Sequence, residues 1–320
     1  MTTDRRRAVA ALTFAGLAWG ATVPLSKLAL GWLAPGWLTV ARFGVAAAIL
    51  LLATPRARIR AACTPGILAS GAAGYGASVV LQNAGLARTS VTHAALLVGA
   101  TPVLVAVITA AWHRTVARPV DWVGFAVSLA GVALISASRA GGATTAGDGL
   151  VLASLLSSSA FTVAQARLLR GRDPVALSAA QFLGAAIAAL PLAAVTEGMP
   201  AAPHNLGDVL ATAALAVGGT MLPFTLFAYG QSRISAEVAG AFVNLEPLVG
   251  AAIGITAFGD PLGPAQLAGG TAIIAGIALS TLPLLSSGRH RQAQAPRDQE
   301  GGRGGSWRGR PPPARTADPA

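Results

Sequence analysis

The stretch GLARTSVTHAALLVGATPV, at residues 85–103, has a counterpart in GQSRISAEVAGAFVNLEPL, at residues 230–248. Both place Arg three residues after the first Gly and Ser two residues after that Arg. Extended without a gap to fifty residues, the alignment gives fourteen identical pairs, among them Pro102 with Pro247. The paired prolines carry more weight than the paired Ala and Gly, which are abundant throughout. The sequence therefore predicts an internal repeat.

The composition is that of a membrane protein. Of the 320 residues 53% are hydrophobic and only 11% are charged, whereas soluble domains average about 25% charged residues. Mean hydropathy is +0.61. The net charge of +11 lies in short breaks between apolar runs and in a polar tail, which argues against a nucleic-acid-binding surface. One cysteine, Cys63, and four scattered histidines predict neither a disulfide nor a metal site, and no cofactor is expected.

The apolar residues fall into ten segments, each long enough to cross about 30 Å of hydrocarbon as a helix. Helices are predicted because backbone groups inside lipid must be hydrogen-bonded within their own segment. The first segment is too long for a signal-peptide core and is predicted to stay uncleaved. The fold class is therefore an all-α polytopic membrane protein. The segments are 8–26, 35–54, 66–86, 91–112, 119–137, 149–168, 175–195, 207–229, 236–258 and 265–285.

Charge and repeat together predict the orientation. With the N-terminus in the cytoplasm, nineteen Lys and Arg residues fall inside and four outside, which is the usual bias. Because five spans is an odd number, the second copy enters the membrane from the opposite side. The ten transmembrane helices are thus predicted to form two inverted five-helix repeats. The predicted parts are a cytoplasmic N-terminus (1–7), the first repeat (8–137), an external connector (138–148), the second repeat (149–285) and a disordered cytoplasmic tail (286–320).

Five stretches in order resemble the drug/metabolite transporter superfamily, specifically its EamA-type ten-span transporters. The resemblance covers residues 8–285. The second copy departs from the family pattern, with Gly259–Asp260 where Gly-Glu is common, and the first copy has no acid at the equivalent place. The stretches are GLAWGATVPLSKLAL (16–30), ARF (41–43), QNAGLARTSVTHAALLVGATPV (82–103), YGQSRISAEVAGAFVNLEPLVGAAIG (229–254) and FGDPLGPAQLAGGTAIIAGIAL (258–279).

This resemblance implies a secondary, non-ATP transporter that exports a small metabolite, an amino acid or a toxic amphipathic compound. A high Arg, Ala, Gly and Pro content favours a bacterial cell (inner) membrane. An intramembrane enzyme is disfavoured, since the sequence offers no His, Asp and Ser grouping at membrane depth. A non-transporting receptor or scaffold remains an alternative, because the basic tail could bind anionic lipid headgroups. The expected partners are a small-molecule substrate and the lipid bilayer, and the chain is expected to be a monomer or a homodimer.

Glu246 is the sharpest candidate for the substrate-binding site. A carboxylate in mid-membrane costs about 2.5 kcal/mol or more, so it usually faces a cavity. There it could bind an amine or carry a proton, which makes the proton a candidate coupling ion; hydrogen bonding to a neighbouring helix for packing is the alternative. The other predicted substrate-binding residues are Asn244, Trp19, Tyr75, Gln82, Gln165 and Gln181, and the predicted helix kinks are at Pro24, Pro102 and Pro247.

Three further charged or titratable residues are expected near the membrane surface. Arg42 and Lys27 lie towards the outer ends of their segments, where long basic side chains reach lipid headgroups. Attraction of an anionic substrate group is the alternative for Arg42. His93 begins the fourth segment and is expected to be interfacial, with a proton relay as the less favoured reading.

Overall fold

The structure is a computed structural model of the chain. It describes residues 3–113, 119–138, 142–234, 239, 242–243 and 245–293. In these ranges the regular elements are α-helices and two short π-helical segments. The helices up to Ser280 form one compact unit, and the packing described below lies within it.

The described residues of the first half form nine α-helices and the first π segment. α1 and α2 are separated only at Ala21, and α7 and α8 only by two residues. α5, the first π segment and α6 follow one another without a break. The bounds are α1 Thr3–Gly20, α2 Thr22–Ala29, α3 Pro35–Ala53, α4 Arg56–Ala62, α5 Pro65–Gly71, first π segment Ala72–Ala77, α6 Ser78–Leu86, α7 Val91–Val98, α8 Thr101–His113 and α9 Pro119–Ala137.

The second half contains six described α-helices and the second π segment. The two π segments begin at Ala72 and Val217, which differ by the offset of the sequence repeat. The bounds are α10 Thr145–Leu168, α11 Pro174–Thr196, α12 Leu206–Ala216, second π segment Val217–Met221, α13 Leu222–Gln231, α14 Leu245–Phe258 and α15 Pro264–Ala293.

Six helical stretches are long and apolar enough to cross a membrane. They correspond to six of the ten predicted segments, and two more apolar helices are shorter. The third predicted segment, residues 66–86, is helical throughout but carries Ser, Gln and Asn side chains that lower its mean hydropathy. The six are Asp4–Ala29, Pro35–Ala53, Val91–Trp112, Thr145–Leu168, Pro174–Thr196 and Leu206–Gln231, and the shorter two are Trp122–Ile135 and Leu245–Phe258.

Side chains at the helix starts explain several boundaries. Asp173 accepts hydrogen bonds from the backbone N–H groups of Val175 and Ala176 at 2.9 and 3.0 Å, which caps α11. Thr144 accepts from Gly147 at 3.0 Å, so α10 begins four residues before the predicted start of its segment. The polar residues of this first turn lower its hydropathy, so the sequence prediction began the segment later.

The largest helix contact joins α3 to α11. Its core contains Phe43 and Ala46 of α3 with Ala179 and Phe182 of α11, all fully buried. Around this pair, α6 packs on α10 and α1 packs on α13, while α7 packs on α14. These contacts bring segments of both halves of the sequence together around one central space.

Glycines allow α9 and α15 to cross closely. A Cβ at Gly131 would lie 2.5 Å from the carbonyl oxygen of Gly269, and one at Gly269 would lie 2.7 Å from that of Gly131. Between them, Ser128 donates a hydrogen bond to the carbonyl of Ile273 at 3.1 Å. Ser128 and Ile273 are aligned with each other in the repeat, so the crossing point lies at equivalent places on both helices.

Candidate functional site

A central cavity lies among α1, α2, α3, the first π segment, α6, α7, α8, α10, α13 and α14. Its walls are mostly apolar, with two charged side chains, Arg42 and Glu246. Small hydroxyl side chains line the α10 side at Ser154, Ser158 and Thr162. These three are spaced by four residues, so they lie on one face of the helix.

The two charges share this cavity. Arg42 is 2% exposed, and its Nε donates a hydrogen bond to Thr220 Oγ1 at 2.9 Å. Its guanidinium carbon also lies 5.5 Å from the centre of the Phe43 ring. Glu246 is 9% exposed. Within the part of the chain that the structure describes, no hydrogen bond or ion pair joins Arg42 to Glu246, so both remain able to bind opposite charges on a solute.

The two basic residues make contacts that the sequence did not suggest. For Arg42 the expectation of reaching lipid headgroups is wrong, because its side chain is buried among helices of both halves. Lys27 donates from Nζ to the carbonyl oxygens of Leu86 and Thr89 at 2.9 and 2.7 Å. These carbonyls follow the end of α6, where a cation is favourable. The position of a residue near the end of a segment does not show whether its side chain points to the headgroups or to other helices.

An aromatic wall closes one side of the cavity. Trp19 contacts Phe224 and Phe227, each with ring centres 5.0 Å apart. Tyr75, in the first π segment, contacts Phe161 at 4.7 Å and Phe224 at 4.8 Å. Such pairs contribute about 0.5–1.5 kcal/mol each beyond their buried area, so the wall is a cohesive surface for an apolar or aromatic part of a solute.

The structure brings four of the seven predicted binding residues together. Glu246, Trp19, Tyr75 and Gln82 all line the central cavity. Gln165 lines a smaller neighbouring cavity instead. Asn244 lies outside the described residues.

Gln181 lines neither cavity. Its side chain and that of Gln165 exchange two hydrogen bonds, at 2.8 and 3.0 Å, and it also donates to Ser70 Oγ at 3.2 Å. Gln181 is completely buried, and its hydrogen bonds connect α5, α10 and α11. Its position is that of a packing residue.

Two of the three predicted kinks lie next to helix breaks. α1 ends at Gly20, four residues before Pro24, and α7 ends at Val98, four residues before Pro102. Proline has no N–H to donate to the carbonyl four residues earlier, which accounts for both ends. Pro247 is the third residue of α14, and its Cβ would lie 3.4 Å from a Cβ at Gly99.

The sequence reading missed the phenylalanines of the aromatic wall and the hydroxyl groups of α10. An apolar ring in an apolar segment carries no sign of facing a cavity. The hydroxyls could have been found, because Ser154, Ser158 and Thr162 form a stripe at helical spacing in an apolar helix. Thr220 lies in the second π segment, which no feature of the sequence predicted.

A buried pair lies away from the cavity, at the start of α7. His93 Nε2 is 3.0 Å from Asp148 Oδ1 in α10, and the two side chains are 1% and 3% exposed. His93 is therefore buried between helices, while its position at the membrane interface stays a prediction. Beside it, Asp260 Oδ2 accepts a hydrogen bond from the backbone N–H of Thr92 at 2.7 Å. Asp260, which follows α14, thus caps the start of α7 and not the connector after α14.

We expect His93→Ala to lower the free energy of unfolding by about 3 kcal/mol, because it empties the space of a buried side chain and removes its contact with Asp148. The measurement is the midpoint of thermal unfolding in detergent. His204→Ala is the matched control: His204 is 3.1 Å from Asp208, but its side chain is 64% exposed. Its loss should cost about 1 kcal/mol or less. Equal midpoints for the two variants would contradict the prediction.

Comparisons with known proteins agree with this architecture. The chain matches the sequence profile of the EamA-like transporter family twice, over residues 6–137 and 145–282. It is 34% identical over 76 residues, 24% of its length, to an "Uncharacterized transporter" of Archaeoglobus fulgidus (strain ATCC 49558 / DSM 4304 / JCM 9628 / NBRC 100126 / VC-16). That match spans only 28% of the relative.

A solved crystal structure resembles the fold. It aligns with 90% of this chain and 99% of its own, with a TM-score of 0.66 and 21% identity, so the likeness concerns the fold alone. The apolar helices, together with the two matched repeats, make the protein a multi-pass membrane protein. Since the matched residues cover most of its length, the chain belongs to the EamA-like transporter family.

Proposed function

We propose that the protein is a secondary transporter that exports a small metabolite, an amino acid or a toxic amphipathic compound by alternating access, without ATP. The observation that carries the proposal is the central cavity, in which Glu246 and Arg42 face an aromatic wall. The carboxylate suits an amine, the guanidinium suits an acidic group, and the rings suit an apolar body. A solute combining at least two of these features fits the cavity best.

The mechanism rests on ten transmembrane helices arranged as two inverted five-helix repeats. Three observations support this arrangement. The π segments begin at equivalent positions, Ala72 and Val217. The contact of α6 with α10 has its counterpart in the contact of α13 with α1. Aligned residues of α9 and α15 meet where Ser128 bonds Ile273. Two such repeats give a carrier two equivalent states, open to opposite sides of the membrane.

The orientation follows from charge. Both termini are proposed to lie in the cytoplasm and the protein in the cell (inner) membrane, because most Lys and Arg residues then fall inside. The energy source is a solute gradient, or a proton carried by Glu246. Protein partners are not required by this scheme, which works for a monomer or a homodimer.

The test is untargeted metabolite profiling of cells and medium, with the gene deleted or overproduced. Export is supported if one solute accumulates inside on deletion and outside on overproduction. A control with impaired transport is needed, and overproduced Glu246→Gln serves, since it should insert equally but export the solute far more slowly. The opposite shift would indicate uptake. No shift in any solute, under several nutrients and toxins, would contradict export and favour a receptor or scaffold.

A further inference from the structure

A second, smaller cavity lies beside the central one. Gln165, Ala228 and Gln231 line it but not the central cavity. Side chains that line both cavities lie between them, and we call these six residues the aromatic layer. They are Trp19, Tyr75, Phe161, Thr162, Phe224 and Phe227.

The smaller cavity lies further along α10. Ser158 lines only the central cavity and Gln165 only the smaller one. Gln165 lies seven residues after Ser158, so the smaller cavity extends further towards the C-terminal end of α10. That end carries Arg167 and is predicted to face the cytoplasm. The two cavities therefore follow one another across the membrane.

Gln231 is the unusual residue of the smaller cavity. It is 8% exposed, and neither its Nε2 nor its Oε1 has a hydrogen-bond partner among the described residues. A buried amide without partners costs about 1–3 kcal/mol, so such a group calls for a reason other than stability. Gln165, by contrast, is satisfied by Gln181.

We propose that the smaller cavity is an inner binding site for the transported solute, at which the Gln231 amide hydrogen-bonds the solute's polar head. The aromatic layer is the partition between this site and the central cavity. An amide both donates and accepts, so it suits a carboxylate, an amine or a hydroxyl group equally. This inference rests on the proposed transport function and adds a second binding step to it.

The first experiment separates binding from packing. Gln231→Leu removes the hydrogen-bonding atoms and keeps most of the volume. If the amide serves the solute, export should fall about fivefold to tenfold while the melting temperature stays equal or rises. Gln181→Leu is the control, because it breaks a satisfied buried network and should lower the melting temperature. An equal fall in melting temperature for Gln231→Leu, or unchanged export, would overturn the inner site.

The second experiment needs no transported solute. In a Cys63→Ala background, Gln231→Cys is exposed to an impermeant thiol reagent in right-side-out and in inverted vesicles. We expect labelling from one face only. Removing a ring of the partition with Phe227→Ala, or with Phe224→Ala, should raise labelling from the opposite face about tenfold or more. Ala180 is completely buried and lines neither cavity, so Ala180→Cys should stay unlabelled.

The outcomes distinguish the inner site from the transport function. Labelling that the ring-removing variants leave unchanged would overturn the partition, and so would labelling of Ala180→Cys at the same rate. The expected labelling supports the two-cavity path even where metabolite profiling finds no exported solute, and only the transport function would then fail. Conversely, if Glu246→Gln lowers export and Gln231→Leu does not, the transport function is supported and the inner site is overturned.

Discussion

Glu246→Gln should insert and fold normally, yet lose between about tenfold and a hundredfold of its export. Gln has nearly the size of Glu and still forms hydrogen bonds, so the packing of α14 against α7 is preserved. What disappears is the charge, and a charge-assisted hydrogen bond contributes about 1.5–3 kcal/mol. The measurement is solute efflux from cells at matched protein level, from mildly acidic to mildly alkaline medium.

The matched control is Glu197→Gln. Glu197 accepts hydrogen bonds from the backbone N–H groups of Gly36 and Trp37 at 2.8 and 3.0 Å, and so caps α3. Glu197 itself does not line the cavity. Its exchange should affect stability modestly and leave the solute specificity unchanged. If Glu246 carries the coupling proton, efflux by the Glu246→Gln variant also loses its dependence on pH. Efflux equal to that of the unaltered protein over the whole range would remove Glu246 from the site.

The sequence was a good guide to where helices lie and a poor one to where they break. The prediction 35–54 corresponds to Pro35–Ala53, and 119–137 to Pro119–Ala137, because a proline begins each helix and fixes its start. The two π segments were not predicted. Such departures change the hydrogen bonding of a few residues without changing the apolar run, so hydropathy does not register them.

Single polar residues were located more reliably than their surroundings. A lone carboxylate in an apolar segment pointed to a cavity, and Glu246 lines one. Gln165 and Gln181 looked alike in sequence, but only Gln165 reaches a cavity, because Gln181 lies in the contact of α11 with α5. Arg42 was assigned to the headgroups because it lies towards the outer end of its segment, and its hydrogen bond to Thr220, far away in sequence, was not foreseen. The direction in which a side chain points depends on how the two halves of the chain pack together, and a local sequence pattern carries no information on that packing.

The contact that turns Gln181 away from the cavity leads to the second large prediction, Gly71→Ala. Gly71 ends α5, and a Cβ there would overlap the backbone carbonyl of Gln181, far inside van der Waals distance. Gly184 of α11 meets the backbone of Leu68 in the same way. Backbone atoms on both sides leave no flexible side chain to move aside, so the two helices must separate. We expect a loss of about 3 kcal/mol or more in the free energy of unfolding.

Gly66→Ala tests whether this loss is steric. Gly66 lies on the same short helix, and a Cβ there meets nothing within 4 Å. Helix propensity alone favours Ala over Gly by about 1 kcal/mol, so it predicts a gain for both variants. Steric conflict predicts a gain for Gly66→Ala and a large loss for Gly71→Ala. Melting temperatures in detergent decide between them. If Gly71→Ala melts as high as Gly66→Ala, α5 and α11 are not in backbone contact. If Gly71→Ala melts far lower, α5 and α11 are in close contact, and this contact buries Gln181 away from the solute's path.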